Sequence, residues 1–173
     1  RHWGVEVFGT ASPGKWDRLH EAGLAGDHVA NSRTLDFERA FLDATDGRGV
    51  DVVLNSLAHE FVDASLRTLA RGGTFLEIGK TDIRAPGEIA ERRPDVDYRP
   101  FDMAEAGAER IQQILTELAD LFESGVLLPP EVTSFDVRHA RDAFRALGQA
   151  RHVGKLVLTM PGIPDGQVRG TRR

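Results

Sequence analysis

Short runs of β-branched and aromatic residues alternate along this chain with longer segments in which apolar residues recur every three or four positions. The short runs predict β-strands and the longer segments predict amphipathic helices. Their regular alternation is typical of βαβ units, so we predict an α/β fold with a doubly wound parallel sheet and helices on both faces. The predicted strands are 5–10, 28–31, 51–55, 73–79, 98–102, 132–135 and 154–160, and the predicted helices are 15–23, 35–45, 60–69, 104–123 and 140–147.

Two of these segments carry more specific expectations. The strand 51–55, with the sequence DVVLN, is apolar enough to be a central strand that is buried on both faces. The helix 104–123 carries an apolar stripe that should pack on the sheet. The stripe consists of Ile111, Ile114, Leu115, Leu118 and Phe122.

The start of the chain lacks a feature that this type of fold usually has. Residues 1–4 look like the last turn of a helix, and no GxGxxG-type sequence occurs anywhere in the chain. A dinucleotide-binding Rossmann domain normally begins one unit earlier, with a strand and a glycine-rich turn against the pyrophosphate. We therefore expect residues 1–161 to form an incomplete Rossmann domain that lacks its first βα unit. Residues 162–173 should be a linker or tail.

Composition narrows the function classes. With a net charge of −5 and a pI of about 5.7, the chain has no excess of positive charge that would attract nucleic acid or anionic lipid. No apolar run is long enough to span a bilayer and no signal peptide is evident, so we expect no membrane association and a cytoplasmic location. The chain has no cysteine and its six histidines form no cluster, so no metal site is expected. Chemistry must come from a cofactor or from Lys, Asp, Ser and Asn.

The turn after the first predicted strand has the sequence TASPGK. In dinucleotide-binding folds this position reads the adenosine ribose, and an acidic residue there favours NAD. Here no carboxylate occurs before Asp17, whereas Ser12 and Lys15 could give hydrogen bonds and positive charge to a phosphate. The alternative is an ordinary turn followed by a solvated lysine.

Five sequence runs, in order, resemble one family. Together they cover about residues 1–161 and are similar to the enoyl reductase domain of type I polyketide synthases, on the quinone oxidoreductase side of the medium-chain dehydrogenase/reductase superfamily. The resemblance implies NADPH-dependent reduction of an α,β-unsaturated acyl thioester held on an acyl carrier protein. It also implies other domains of the same synthase as partners, and is compatible with a homodimer. The runs are TASPGKWDRL, NSRTLDFE, GRGVDVVLNSL, RGGTFLEIGKTDI and HVGKLVLTMP.

The resemblance assigns a cofactor-binding role to residues at several strand ends. It implies that Ser12 and Lys15 bind the 2′-phosphate of NADPH with Thr10 beside them, and that Arg33 lies on the adenine side.

Further cofactor contacts are implied at the carboxyl ends of the two strands 51–55 and 73–79. Asn55 and Ser56 would border the nicotinamide half of the cofactor, together with Gly79 at the end of the second strand. Ser56 could equally be the N-cap of the helix that follows.

Lys80 and Asp102 follow or end two predicted strands whose carboxyl ends share one rim of a parallel sheet. They could therefore converge, although 22 positions separate them. The resemblance implies that they act in protonation: a lysine near the thioester could donate a proton to the enolate carbon or a hydrogen bond to its oxygen, and the carboxylate would hold it charged and aimed. The alternative is a surface ion pair with no catalytic role.

Three other functions are alternatives to enoyl reduction. An S-adenosylmethionine-dependent methyltransferase has a similar alternation, but it would need an acidic residue at the strand end where TASPGK stands. A reductase-like scaffold module that has lost activity in a megasynthase would keep the same fold. The chain could also be the nucleotide-binding domain of another quinone oxidoreductase-like enzyme.

Overall fold

The computed structural model describes residues 2–150 and 152–161, so the predicted tail 162–173 lies outside the described residues. The strands are β1 (Gly9–Ala11), β2 (Val29–Asn31), β3 (Val50–Asn55), β4 (Leu69–Glu77), β5 (Asp97–Pro100), β6 (Val132–Asp136) and β7 (Lys155–Thr159). The helices are α1 (Trp16–Glu21), α2 (Asp36–Ala44), α3 (Glu60–Arg67), α4 (Pro86–Arg92), α5 (Gly107–Glu123) and α6 (Ala140–Gly148). This order confirms the predicted α/β class.

All strand pairs given by the hydrogen-bond ladders are parallel. β1 pairs with β2, β3 pairs with β4, β4 pairs with β5, and β6 pairs with β7. The chain divides into two compact units between residues 121 and 122. The first unit holds β1 to β5, and the second holds β6, β7 and α6.

Two apolar clusters stabilise the first unit. One lies where α3 and α4 cover β4 and β5; its members are Val62, Leu66, Leu69, Phe75, Ile89, Val96 and Tyr98. The other joins β2, α2 and α3; its members are Ala30, Phe37, Phe41 and Ala64. Phe75 and Val62 have no exposed surface, so these clusters fix the strand ends that follow them.

The expectation that strand 51–55 is central and buried is wrong for the described residues. β4, not β3, is the middle strand of the three-stranded sheet. Val52 and Leu54 are 58% and 66% exposed, whereas Asn55 is buried. Only one face of β3 is covered, because Val53 packs on the first apolar cluster while its sequence neighbours point away.

The first strand is shorter than predicted. The prediction 5–10 is replaced by β1, because β2 offers only three residues for the ladder: Gly9, Thr10 and Ala11 pair with 29–31. Phe8 lies outside the ladder, where its ring contacts His28 and Phe41.

Two helices also differ from prediction. No helix was predicted where α4 lies; Pro86 is acceptable in the first turn of a helix, and Ile89 anchors α4 in the core. The helix predicted over 104–123 is interrupted: a 3₁₀ turn covers Met103–Ala106, and α5 begins only at Gly107. Gly107 has a φ of +77°, which breaks the helical path between the two.

The apolar stripe of α5 does not pack as expected. Leu115, Leu118 and Phe122 are 55%, 37% and 42% exposed, and α5 has no buried residue. The amphipathic pattern predicted the helix correctly, but only Ile111 and Ile114 of its apolar stripe are partly buried.

Candidate cofactor and catalytic site

The turn that carries Ser12 and Lys15 follows β1 directly and is closed by the backbone. Ser12 is extended, and a 3₁₀ turn over Pro13–Lys15 is formed as the Lys15 N–H donates to the Ser12 carbonyl at 2.8 Å. The indole N–H of Trp16 donates to the Ala11 carbonyl at 3.0 Å and ties the start of α1 back to the strand. The turn therefore has a defined backbone on which both side chains are mounted.

The side chains of Ser12 and Lys15 take no part in holding this turn together. The Ser12 hydroxyl makes no capping hydrogen bond to the turn that follows it, and the Lys15 ammonium makes no ion pair with the described residues. Both side chains are half-buried. A hydroxyl and an ammonium thus remain available, on a rigid turn, to bind an anion.

Thr10 and Arg33 differ in their relation to this turn. Thr10 lies within β1 opposite Ala30 and not in the turn itself. Arg33 follows β2, whose last residue Asn31 is paired with the last residue of β1, so Arg33 leaves the same edge as Ser12. The Arg33 N–H donates to the Asn31 side chain at 3.0 Å, and its exposed guanidinium has no ion pair within the described chain.

The Asn55–Ser56 turn is held by a buried amide. The Asn55 side chain is 3% exposed; its Nδ2 donates to the Leu57 carbonyl at 2.9 Å, and its Oδ1 accepts from the Leu57 N–H at 3.2 Å. Ser56 is exposed. The alternative in which Ser56 caps a helix is wrong, because α3 begins four residues later at Glu60 with His59 in the capping position.

Glu77 is a residue that the sequence prediction missed. It ends β4 with no exposed surface, and its carboxylate accepts from Asn55 Nδ2 at 2.7 Å and from the Gly79 N–H at 2.6 Å. A side chain on Gly79 would contact the Glu77 carboxylate, with a Cβ 2.7 Å from Oε1. Two predicted site residues, Asn55 and Gly79, therefore meet around one buried carboxylate.

Lys80 and Asp102 meet at the surface next to this cluster. Lys80 Nζ donates to Asp102 Oδ2 at 2.8 Å, and the two side chains are 58% and 45% exposed. Asp102 Oδ1 also accepts from the Ala104 N–H at 2.9 Å. The hydrogen bond from Lys80 lowers the pKa of Asp102 below its usual value, and that from Ala104 lowers it further.

The predicted site residues thus form two groups in the first unit. One group, at the carboxyl ends of β1 and β2, has a hydroxyl, an ammonium and a guanidinium group that find no partner in the part of the chain that the structure describes. The other, at the carboxyl ends of β3, β4 and β5, combines a buried amide–carboxylate pair with an exposed lysine–aspartate pair. Ligands of open parallel sheets bind at the carboxyl ends of the strands.

Comparisons with known proteins identify the class. A family model described as zinc-binding dehydrogenase matches residues 24–158. The chain belongs to this family, which lies in the medium-chain dehydrogenase/reductase superfamily and comprises oxidoreductases.

Within this class the chain is similar to parts of polyketide synthases, which confirms the resemblance inferred from its motifs. It is 62% identical to the pikromycin polyketide synthase component PikAII of Streptomyces venezuelae, over 97% of this chain and 4% of that protein. It is 42% identical to the CurF ER cyclopropanase from the curacin A biosynthetic pathway, with a TM-score of 0.85 over 91% of this chain and 48% of that one. The chain therefore spans a small part of PikAII and about half of the CurF structure.

A third relative is about as long as this chain. The chain is 30% identical to the nucleotide-binding subdomain of the enoylreductase domain of PpsC from Mycobacterium tuberculosis. That match has a TM-score of 0.59 and covers 72% of each chain. Membership of this oxidoreductase family decides against the methyltransferase alternative.

The zinc in the family description has no matching donor set here. The chain contains no cysteine, and no group of three or more His, Asp or Glu side chains in residues 2–150 and 152–161 could hold a metal ion. We therefore assign no step to a metal. In the same described ranges, no helix is long and apolar enough to cross a membrane.

Proposed function

We propose that this chain is the cofactor-binding part of an NADPH-dependent enoyl reductase in a polyketide synthase. Its substrate would be an α,β-unsaturated acyl thioester carried on an acyl carrier protein, and its partners would be the other domains of the same synthase. The similarity to PikAII and to the PpsC nucleotide-binding subdomain supports this setting.

One observation carries the choice of NADPH over NADH. The turn after β1 presents the Ser12 hydroxyl and the Lys15 ammonium, both without partners among residues 2–150 and 152–161, where an NAD enzyme would place a carboxylate. A 2′-phosphate is a dianion with several acceptor oxygens, so it suits these two donors, and Arg33 could add charge from the neighbouring strand end. An adenosine ribose with a free 2′-hydroxyl has no negative charge at this position, so the Lys15 ammonium and the Arg33 guanidinium would have no anion to bind.

When bound, NADPH supplies a hydride to the β-carbon of the enoyl thioester. The electron pair of the double bond moves onto the thioester, and the resulting substrate enolate needs one proton at its α-carbon. We assign to Lys80 the role of giving that proton, or of donating a hydrogen bond to the enolate oxygen, and the hydrogen bond from Lys80 to Asp102 supports a role for Asp102 in orienting the ammonium. The two hydrogens of the saturated product thus come from NADPH and from a protein or solvent acid.

The position of the Lys80–Asp102 pair supports a catalytic role better than a structural one. Exposed ion pairs contribute roughly 0–1 kcal/mol to stability, so this pair adds little to the fold. It stands beside the Asn55–Ser56 turn, to which we assign the nicotinamide half of the cofactor. Ser56 is exposed there and, freed from helix capping, can contact the ligand.

The experiment that tests the proposal is reduction of a crotonyl thioester by the intact polypeptide that carries this chain. NADPH consumption and formation of the saturated butyryl thioester should rise together in a one-to-one ratio. Binding of NADPH with no turnover of any enoyl thioester would favour the inactive scaffold instead. Turnover of a free quinone but not of the thioester would favour another quinone oxidoreductase-like enzyme.

A further inference from the structure

The loop that carries Lys80 is fixed to the preceding strand–helix loop at two points. This Lys80 loop (residues 78–85) connects β4 to α4, and the Asn55 loop (residues 56–59) connects β3 to α3. Carboxylates on either side of Lys80, from Glu77 and Asp82, make the two connections.

The first connection is buried. One Glu77 oxygen accepts from Asn55 Nδ2 at 2.7 Å and the other accepts from the Gly79 N–H at 2.6 Å. The Glu77 side chain has no exposed surface. A buried carboxylate is costly unless it is hydrogen-bonded, and a lost partner there costs more than it would at the surface. Both oxygens are used here: one holds Gly79 in the Lys80 loop, and the other holds the Asn55 amide, which is itself hydrogen-bonded to Leu57 in the Asn55 loop.

The second connection is at the surface. Asp82 Oδ2 accepts from the His59 N–H at 2.6 Å, and Arg84 donates to the same carboxylate at 3.2 Å. His59 has a φ of +59°, a conformation that non-glycine residues seldom adopt and that costs on the order of 1–3 kcal/mol. The surrounding contacts therefore hold the Asn55 loop in a conformation that its own sequence disfavours.

These contacts matter because the Lys80–Asp102 pair cannot position itself. Both side chains are about half exposed, and such a pair stabilises one geometry by roughly 0–1 kcal/mol. A lysine side chain also has several rotatable bonds. The aim of the Lys80 ammonium must therefore come from its backbone, which lies between the two anchored residues.

We propose that Glu77 is a positioning residue of the reductase: through the Gly79 N–H and the Asn55 amide it fixes both loops, and it thereby sets where Lys80 meets the substrate. This inference rests on the proposed function. Glu77 itself lies buried beneath the loops and touches neither substrate nor cofactor. Its carboxylate acts through Lys80 and through the Asn55–Ser56 turn, with Asp82 as the second anchor.

The test is Glu77→Gln in the intact polypeptide. A glutamine amide has one acceptor oxygen and one NH₂ donor group, so it can accept from only one of the two donors and faces the other with an N–H. We expect kcat for enoyl thioester reduction to fall by about 10–100-fold, since a displacement of about 1 Å costs that much. The KM for NADPH should rise less than kcat falls, because the turn after β1 holds the 2′-phosphate end of the cofactor with its own backbone ties and only the nicotinamide end borders the Asn55–Ser56 turn. The matched control is Glu91→Gln, which removes an exposed carboxylate on α4 and should leave both constants unchanged.

Hydrogen exchange separates positioning from general stability. Glu77→Gln should accelerate exchange in the two loops, 56–59 and 78–85, while β3 and β4 stay protected. Wild-type kcat in Glu77→Gln would overturn the inference, and so would faster exchange spread evenly over both strands.

A second variant covers the case in which Glu77→Gln does not fold. Asp82→Ala removes the surface anchor and should lower kcat with unchanged NADPH binding; unaltered kcat in this variant would contradict the loop-positioning role. If the wild-type protein itself reduces no enoyl thioester, the proposed function fails, and the catalytic part of this inference fails with it. A wild-type enzyme that is active and insensitive to Glu77→Gln refutes only the inference.

Discussion

Lys80 Nζ lies 2.8 Å from a carboxylate oxygen of Asp102, although 22 positions separate the two residues in the chain. They meet because β4 and β5 are parallel neighbours, with Glu77 paired to Pro100 at their carboxyl ends. Each residue stands in the loop just beyond its strand. We predict that Lys80→Ala and Asp102→Asn each lower enoyl thioester turnover by about 100-fold, within the range for general acid catalysis, while NADPH affinity is unchanged.

Steady-state kinetics with the double variant completes this test. Asp102→Asn keeps an oxygen that can accept from the Ala104 N–H and removes the charge, so it spares the local turn. Since the two residues act as a unit, the double variant should lose little more than either single one. Arg48→Ala breaks another exposed pair, with Asp51 at 2.7 Å, and serves as the control. Wild-type turnover in both single variants would return Lys80 and Asp102 to the surface-pair alternative.

The ionisation of Asp102 gives a prediction that needs no substrate. Hydrogen bonds from Lys80 and from the Ala104 N–H lower its pKa below the usual 3.8. Because the folded-state pKa is depressed, the pair contributes its stability above pH 3.8 and loses it as the pH falls through the lowered value. In Lys80→Met the pKa of Asp102 should rise, as measured by the ¹³C shift of its carboxyl carbon. An identical titration curve in the variant would show that the contact does not persist in solution.

Two nearby glycines should respond differently to alanine. Gly47 and Gly49 have φ of +76° and +82°, so each alanine should cost about 1–2 kcal/mol for the left-handed backbone. A Cβ on Gly47 meets nothing, whereas one on Gly49 would collide with the Thr68 carbonyl and lie 2.9 Å from the Ala70 nitrogen. Gly49→Ala should therefore cost a further ~1–3 kcal/mol. Urea unfolding of both variants measures this, and equal losses would contradict the close approach of β3 and β4.

The sequence predicted much of the site because parallel topology places consecutive strand ends at one edge. The convergence of Lys80 and Asp102 was predicted from their strand ends, and the structure confirms it; the roles of Asn55, Lys80 and Asp102 came only from the resemblance to enoyl reductases. The order of strands within the sheet could not be predicted. β3 was expected to be central, yet β4 has hydrogen-bonded strands on both sides, because pairing depends on contacts that are remote in sequence.

Glu77 was missed although the sequence contains a signal for it. In GTFLEIG, alternate residues share a face of the strand, so Glu77 lies on the same side as Phe75, an aromatic residue that the structure buries completely. An acidic residue at a buried strand position requires partners. Its partners could not be predicted, since the Asn55 amide approaches from another strand and Gly79 approaches only after the chain turns.

The remaining errors have local physical causes. The strand before TASPGK was predicted too long because β propensity gives no information on how many residues the partner strand offers. α4 was missed because a proline and a glycine in its first turn resemble a loop. The first error moves Thr10 from the end of its strand to the middle of β1, whereas the second leaves every predicted site residue in place.

The central claim is that the turn after β1 binds the 2′-phosphate of NADPH through Ser12 and Lys15. Titration of the intact polypeptide with NADPH and NADH, followed by fluorescence or calorimetry, tests it most directly. We predict tighter binding of NADPH, and a loss of about 10–100-fold in NADPH affinity but not in NADH affinity for Lys15→Ala, as for a charge-assisted hydrogen bond of roughly 1.5–3 kcal/mol. Arg141→Ala removes the same charge from an exposed position on α6 and should leave both affinities unaltered. Equal affinity for the two cofactors in the wild-type protein would contradict the account.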